Sequence, residues 1–323
     1  MKILSYIKGL DASSYHRVLI PNRSLNEEVR EVKMLSEEDL EWCDILHYNR
    51  HSNMSAKFID SMRQKYGFKI VVDNDDWWEV HPDHPKYDFW SKSNLSYQIQ
   101  SHLMNADAVI CTNDSLAEET KKINDRVFVI PNALDYGNGQ FSYRKQPKSD
   151  KVRLLYASTI MNYSNTSIIA NAYKKLSHLN IEIVITGYHD LPYFDKLVKN
   201  LTGGLIPHRF IDWMDCESYM NGYEGDIMIL PSKKTDFNRF KSNLKILEAG
   251  ALKMPIVVSE NEPYLGMPVN YFNGENEFVD QVIRLVESKE YRESAGSKLY
   301  DAVTNQFSIS NFSDLRRSIY ENI

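Results

Sequence analysis

Leu230-Pro231-Ser232-Lys233-Lys234-Thr235-Asp236-Phe237-Asn238-Arg239-Phe240-Lys241-Ser242-Asn243-Leu244-Lys245-Ile246-Leu247-Glu248-Ala249-Gly250 leads from an apolar stretch through a basic loop into a segment with helical spacing. Lys233, Lys234, Arg239, Lys241 and Lys245 put five positive charges in thirteen residues, against the single carboxylate of Asp236. Ser242 stands where a capping residue opens a helix. Free backbone N–H groups at a helix start, with lysines beside them, stabilise a diphosphate through the dipole and direct charge. Lys241 and Lys245 are four apart, the spacing of one helical face, and with Ser242 they are the expected diphosphate ligands. Glu248, one turn further, can reach a ribose hydroxyl. The bland alternative is a solvated basic loop followed by a surface helix.

Outward from this stretch, short apolar runs alternate with amphipathic segments, the pattern of βαβ units on a parallel sheet. Strands are expected at Lys2–Ile7, Ile45–Tyr48, Lys69–Val72, Ala108–Cys111 and Val127–Ile130. A second set is expected at Arg153–Ala157, Ile181–Thr186, Arg209–Ile211, Asp226–Leu230 and Ile256–Ser259. Helices fill most gaps: Ser14–Leu19, Ser55–Lys65, Ser93–Met104, Ser115–Lys122, Ser164–Lys175, Tyr193–Asn200 and Ser242–Leu252. Pro131–Asp150, with two glycines and Pro147, reads as a linker between the sets. The fold class is therefore α/β, with two Rossmann-like domains, residues 1–140 and 151–305. A final helix, 306–323, packs back on the first domain. Two such sheets facing each other take their ligands at the carboxyl ends of their strands.

The composition sets bounds. At 323 residues the chain suits two domains, and 42% hydrophobic with 25% charged residues is a globular balance. A net charge of −6 supplies no global attraction to nucleic acid or anionic membrane. Only five residues separate Lys2 from Lys8, too few for a signal-peptide core, and no apolar run reaches spanning length. A cytoplasmic protein without integral membrane contact is expected. Cys43, Cys111 and Cys216 are odd in number and far apart, which suits buried thiols.

In the first half, Gly9 permits a tight turn after the first strand, and Ser13 or Ser14 can cap the next helix. His16 and Arg17 then fall in its first turn, near the cleft, as a catalytic and an acceptor-side candidate; an ordinary strand–turn–helix is the alternative. No G-x-G-x-x-G follows this strand, which argues against nicotinamide or flavin chemistry. Asp73-Asn74-Asp75-Asp76 closes an apolar run, and carboxylates there are costly unless they serve a ligand. Asp75 or Asp76 can orient an acceptor hydroxyl or take its proton; capping the turn is the alternative. In Trp77-Trp78-Glu79-Val80-His81-Pro82-Asp83-His84-Pro85-Lys86-Tyr87-Asp88-Phe89-Trp90 the prolines oppose a regular helix. Its indole faces, those of Trp77 and Trp78 first, suit a sugar ring or an extruded base, or else the loop plugs its own cluster. His81 and His84 lack the spacing of a metal site, and no metal is expected.

The stretch 230–250, continued by Ala251-Leu252-Lys253-Met254-Pro255-Ile256-Val257-Val258-Ser259, resembles the donor site of the large retaining glycosyltransferase family of the GT-B fold (group 1, family 4-like). Val129-Ile130-Pro131-Asn132-Ala133-Leu134-Asp135 and Ile183-Val184-Ile185-Thr186-Gly187 match two further segments of that family in order and spacing. The resemblance implies sugar transfer from a nucleoside-diphosphate sugar to a hydroxyl, with retention, without a metal ion and without a cofactor beyond the donor. It also implies a donor-side pair of glutamates with seven residues between them, the second at Glu248, but Phe240 stands at the first position. Asp236 is then the candidate for the transferred sugar. The family's basic residue is missing from Ala157-Ser158-Thr159-Ile160-Met161-Asn162, which leaves Lys241 and Lys245 to carry the diphosphate charge. Asn238-x-x-Lys241-Ser242 and the acidic cluster resemble members carried by tailed bacteriophages, so Asn238 joins the diphosphate ligands. The acceptor is a saccharide or a hydroxymethylated DNA base. Asp75 and Asp76 keep inversion open, and a non-catalytic sugar-nucleotide-binding subunit or scaffold is the reading from another class.

Overall fold

A computed structural model describes residues 1–9, 11–80, 82, 86–158, 164–187, 193–212 and 215–323. The chain forms two compact units: Met1–Asp135 with Phe240–Ser242 and Phe307–Ile323, and Tyr136–Arg239 with Asn243–Gln306.

The sheet of the first unit contains β1 (Lys2–Tyr6), β2 (Glu28–Val32), β3 (Ile45–Asn49), β4 (Lys69–Asn74), β5 (Ala108–Cys111) and β6 (Val127–Val129), in the order β2-β1-β3-β4-β5-β6. That of the second contains β7 (Val152–Ala157), β8 (Ile181–Gly187), β9 (His208–Asp212), β10 (Ile227–Leu230), β11 (Ile256–Ser259) and β12 (Asn270–Phe272), in the order β12-β11-β10-β7-β8-β9. All pairings are parallel. Central strands are covered on both faces, which is why Ile70-Val71-Val72 and Ile227-Met228-Ile229 are unbroken apolar runs. In each sheet the winding direction reverses once, between β1 and β3 and between β7 and β10, and such reversals open a crevice at the strands' carboxyl ends.

Two edge strands have no apolar run to announce them. In β2, Glu28-Val29-Arg30-Glu31-Val32 is charged because an edge is half open to water; β12 is three residues long. Two long helices, Glu275–Glu287 and Lys289–Gln306, also escaped the sequence reading. The expected linker is not a free connector. From Tyr136 it packs into the second unit, where the Gln140 side chain donates to the Cys216 carbonyl (2.7 Å) and accepts from the Met220 N–H (3.0 Å).

The helix Leu244–Ala251 lies against Lys289–Gln306, and two glycines set the approach. A Cβ at Gly250 would sit 2.5 Å from the Val303 side chain, and one at Gly296 would sit 2.0 Å from the Lys253 carbonyl oxygen. Gly296→Ala should therefore destabilise despite gaining about 1 kcal/mol of helix propensity. Overpacking against backbone costs about 1–3 kcal/mol or more. Urea unfolding checks it: a variant more stable than the parent would mean that the helices separate without penalty.

The last helix, Ser310–Glu321, belongs to the first unit. Leu134 N–H donates to Phe307 O and Ile309 N–H to Leu134 O, both at 3.0 Å, and Arg316, Ile319 and Tyr320 are buried.

Candidate functional site

At the carboxyl edge of the first sheet, Ala12–Arg23 is a continuous helix with a π-helical stretch at Tyr15–Leu19. Its cap is Asp11, whose carboxylate accepts from Ser14 N–H at 2.7 Å, rather than Ser13 or Ser14. Gly9 adopts φ +141°, as a tight turn there requires. The wider π turn directs Tyr15, His16 and Arg17 into the interior. His16 is only 2% exposed, edge-on to Tyr15 with ring centroids 5.1 Å apart, so a catalytic part for it is not supported. Arg17 is equally buried, with its guanidinium held inside the unit, so an acceptor-side part for it is not supported. Its guanidinium donates to Asp73 (2.7 and 3.2 Å), Asn132 (3.0 Å) and Ile130 O (2.8 Å).

The acidic cluster divides in two. Asp73 and Asn74 end β4 and are fully buried, Asp73 between Arg17 and Arg316. Asp75 and Asp76 are only partly buried. Asp75 accepts from Ser13 Oγ at 2.5 Å and from Asn49 Nδ2 at 3.0 Å. Burial pushes its carboxyl up, but the Arg50 charge and these two hydrogen bonds outweigh that and hold it below the ordinary carboxylate value. Asp76 accepts from Lys241 Nζ at 2.6 Å.

Sequence reasoning missed the neighbours Lys8, Asn49, Arg50 and His51. Their only signal was position, directly after the apolar runs of β1 and β3. Arg50 has φ +57°, donates its backbone N–H to Asp73 O (2.8 Å) and its guanidinium to Trp77 O (2.9 Å).

Trp77 and Trp78 are not an open stacking surface. Trp78 is buried, its ring 4.1 Å from that of Trp77, and Trp77 lies stacked at 4.4 Å and 18° on Phe240. Trp90 Nε1 and Ser96 Oγ both donate to the Trp78 carbonyl, at 2.9 and 2.6 Å. Tyr87–Lys92 is helical, so the helix-free reading of 77–90 fails at its end, because Pro82 and Pro85 both precede the helix. His81, His84 and Thr159–Asn162 lie outside the described residues.

In the second unit the longer of the two helices between β10 and β11 begins at Leu244 with Asn243 as N-cap and no side-chain cap bond. Ser242 is thus not its cap, and Lys241 precedes the helix and does not share a face with Lys245. Glu248 is completely buried. It accepts from the Tyr219 hydroxyl, from Tyr223 OH at 2.7 Å and from Lys245 Nζ at 2.6 Å. Lys245 also donates to Tyr223 OH at 2.7 Å and sits 5.3 and 5.4 Å over the two tyrosine rings. Burial, followed by the Glu248 charge, pushes the Tyr223 hydroxyl well above its usual value. Two of the residues expected to hold the nucleotide, Lys245 and Glu248, are therefore engaged with each other, and a ribose reaches Glu248 only by displacing a donor.

Asn238 is a brace within the loop. Its amide donates to Lys233 O and to Asn165 Oδ1, both at 2.9 Å, so it does not point at a phosphate. Asp236 is exposed at the start of the short helix Asp236–Arg239. Among the described residues no group of three or more His, Cys, Asp or Glu side chains could hold a metal ion, and no helix is long and apolar enough to cross a membrane. Cys43, Cys111 and Cys216 are buried free thiols.

Neither a protein-family model nor a curated protein sequence matches this chain. Solved structures do. HepE of Anabaena, in complex with UDP-glucose, is similar over 100% of both chains at a TM-score of 0.69 and 13% identity. A glycosyltransferase from Rickettsia africae covers 99% of this chain and 97% of its own, at 0.67 and 14%. Sucrose-phosphate synthase from Thermosynechococcus elongatus matches 86% of this chain and 73% of its own, at 0.60 and 14%. At these identities the likeness is one of fold: two Rossmann-like units, the GT-B architecture.

Proposed function

We propose that the protein is a cytoplasmic glycosyltransferase that moves a sugar from a nucleoside-diphosphate sugar to a hydroxyl acceptor. The observation that carries this reading is the pair Lys245–Glu248, in a fold shared end to end with a protein crystallised with UDP-glucose. A buried carboxylate holding a lysine, one turn into the helix after the central strand, is poised for an exchange. The ammonium can move to the donor's diphosphate while ribose hydroxyls replace it on Glu248. A nucleoside diphosphate is a good leaving group once its charge is stabilised and the acceptor aligned.

On the first unit, Asp75 is held as a carboxylate at neutral pH and can accept a hydrogen bond from an acceptor hydroxyl. Asp76 becomes available when Lys241 leaves it. Retention without a metal ion belongs to the same reading, since a retaining transfer of this type requires no strong base. A saccharide is the favoured acceptor. The faces of Trp77 and Trp78 that an extruded base would need are already stacked on each other and on Phe240, and a net charge of −6 supplies no general attraction to backbone phosphates.

A donor-by-acceptor screen tests this. Labelled nucleotide hexoses and pentoses are offered with lipid-linked and soluble saccharides, plain DNA and hydroxymethylated DNA. Transfer to a saccharide is expected. It should fall at least a hundredfold in Asp75→Asn/Asp76→Asn while calorimetric binding of the donor persists. Transfer to hydroxymethylated DNA alone would replace the saccharide by a base. Donor binding with no transfer to any acceptor would favour a non-catalytic subunit.

A further inference from the structure

Beside the winding reversal of the second sheet, the carboxyl ends of β10, β11 and β12 open on a pocket of about 410 Å³. Ser232, Lys233, Lys234, Thr235, Glu260 and Asn261 line it. The loop that forms its wall is braced at nearly every residue. Ser232 N–H donates to Ser259 Oγ (2.8 Å), Lys233 N–H to Asn165 Oδ1 (3.2 Å), and Asn238 N–H to Thr235 Oγ1 (3.1 Å). The Asn261 amide holds Ser232 O at 3.2 Å and the Asn238 amide holds Lys233 O at 2.9 Å. The backbone is thus organised before any ligand arrives, which lowers the ordering cost of binding.

Three of the five basic residues between 233 and 245 are engaged: Arg239 with Glu262, Lys241 with Asp76 and Lys245 with Glu248. The other two, Lys233 and Lys234, have no carboxylate at ion-pair distance among the described residues, and both border the pocket. Glu260, exposed at the rim, leaves two ammonium groups against one carboxylate.

We propose that this pocket is a site for a diphosphate-type oxyanion, with Lys233 and Lys234 as its ligands. The identification of that oxyanion with the donor's pyrophosphate rests on the glycosyltransferase reading. Charge-assisted N–H···O contacts to phosphate are about twice as strong as neutral ones, and these two lysines meet a ligand without first breaking an ion pair. Lys245 then acts as partner of Glu248 and reaches the diphosphate only after the exchange described above.

Calorimetry on the full chain with inorganic pyrophosphate and with UDP tests the assignment. Lys233→Ala/Lys234→Ala should weaken pyrophosphate binding at least tenfold, and Lys245→Ala less than threefold. Glu260→Gln, which removes the opposing charge, should tighten it several-fold, a gain that a damaged fold cannot produce. Native-like pyrophosphate affinity in the double variant, or no pyrophosphate binding by the parent protein, overturns the proposal. Because pyrophosphate carries no nucleoside, the two readings separate. Pyrophosphate binding through Lys233 and Lys234 without sugar transfer leaves the pocket standing and removes the transferase. Sugar transfer with an unchanged donor KM in the double variant does the reverse.

Discussion

Asp73→Ala is expected to cost the first unit about 3–5 kcal/mol, the range for removing one partner of a buried ion pair. Asp73 is 0% exposed, Arg17 2% and Arg316 3%. The substitution strands two guanidinium groups in the interior. Arg17 keeps only Asn132 and the Ile130 carbonyl, neither of which carries charge. Arg316 stands on the C-terminal helix, so the loss should also loosen that helix. The exposed Arg23–Glu31 pair, although only 2.6 Å long, is the control, and Glu31→Ala should cost under about 1 kcal/mol. Urea unfolding followed by tryptophan fluorescence suits the measurement, because Trp42, Trp77, Trp78 and Trp90 all lie in the first unit. A loss in Asp73→Ala no larger than that in the control would mean that water replaces the carboxylate, and would refute the buried-pair account.

Acidification is the second perturbation with a large expected effect. Burial, reinforced by Arg316 and Arg17, lowers the His47 imidazole well below its usual value. Burial with Lys8 and Arg50 beside it lowers His51 to about 3, and burial with Lys8 lowers His102 to about 4. All three are neutral in the folded protein at mildly acidic pH, whereas in the unfolded chain they take up protons near pH 6.5. The unfolded state then binds more protons, so stability rises with pH in this window. Their contribution is complete above about pH 6.5 and is lost as pH falls towards 4. The slope is about 1.4 kcal/mol per pH unit for each histidine. His51 is partly exposed and counts for less, so between pH 6 and 5 the first unit should lose about 2–3 kcal/mol. His47→Gln should flatten the slope by roughly one proton. A slope that stays flat between pH 7 and 5 would mean that the imidazoles titrate normally in the folded chain.

Among the described residues, ten of the twelve strands could be read from the sequence, most of them because a parallel sheet covered on both faces demands unbroken apolar runs. The edge strands β2 and β12 could not, since β2 is charged along its length and β12 is only three residues long. The stretch 230–250 disclosed a strand, a basic loop and a helix for a similar reason: charge density and helical spacing are local properties.

Partnership is not local. Nothing in Asp73-Asn74-Asp75-Asp76 says that the first carboxylate is sealed beneath Arg17 and Arg316 while the third and fourth reach the strand end. That division depends on a π turn fifty-six residues earlier and on a helix at the chain's end. Lys241 and Lys245 look equivalent as a four-residue repeat, yet one lies outside the helix on Asp76 and the other inside it on Glu248. Trp77 and Trp78 advertise a stacking surface until Phe240 is found on it. In each case the sequence by itself determined which groups are present and which element bears them. Only the tertiary structure decided which charges neutralise one another and which are left for a ligand. The physical reason is that a charge's free energy depends on its partner and its access to water, both set by chain segments far away in sequence.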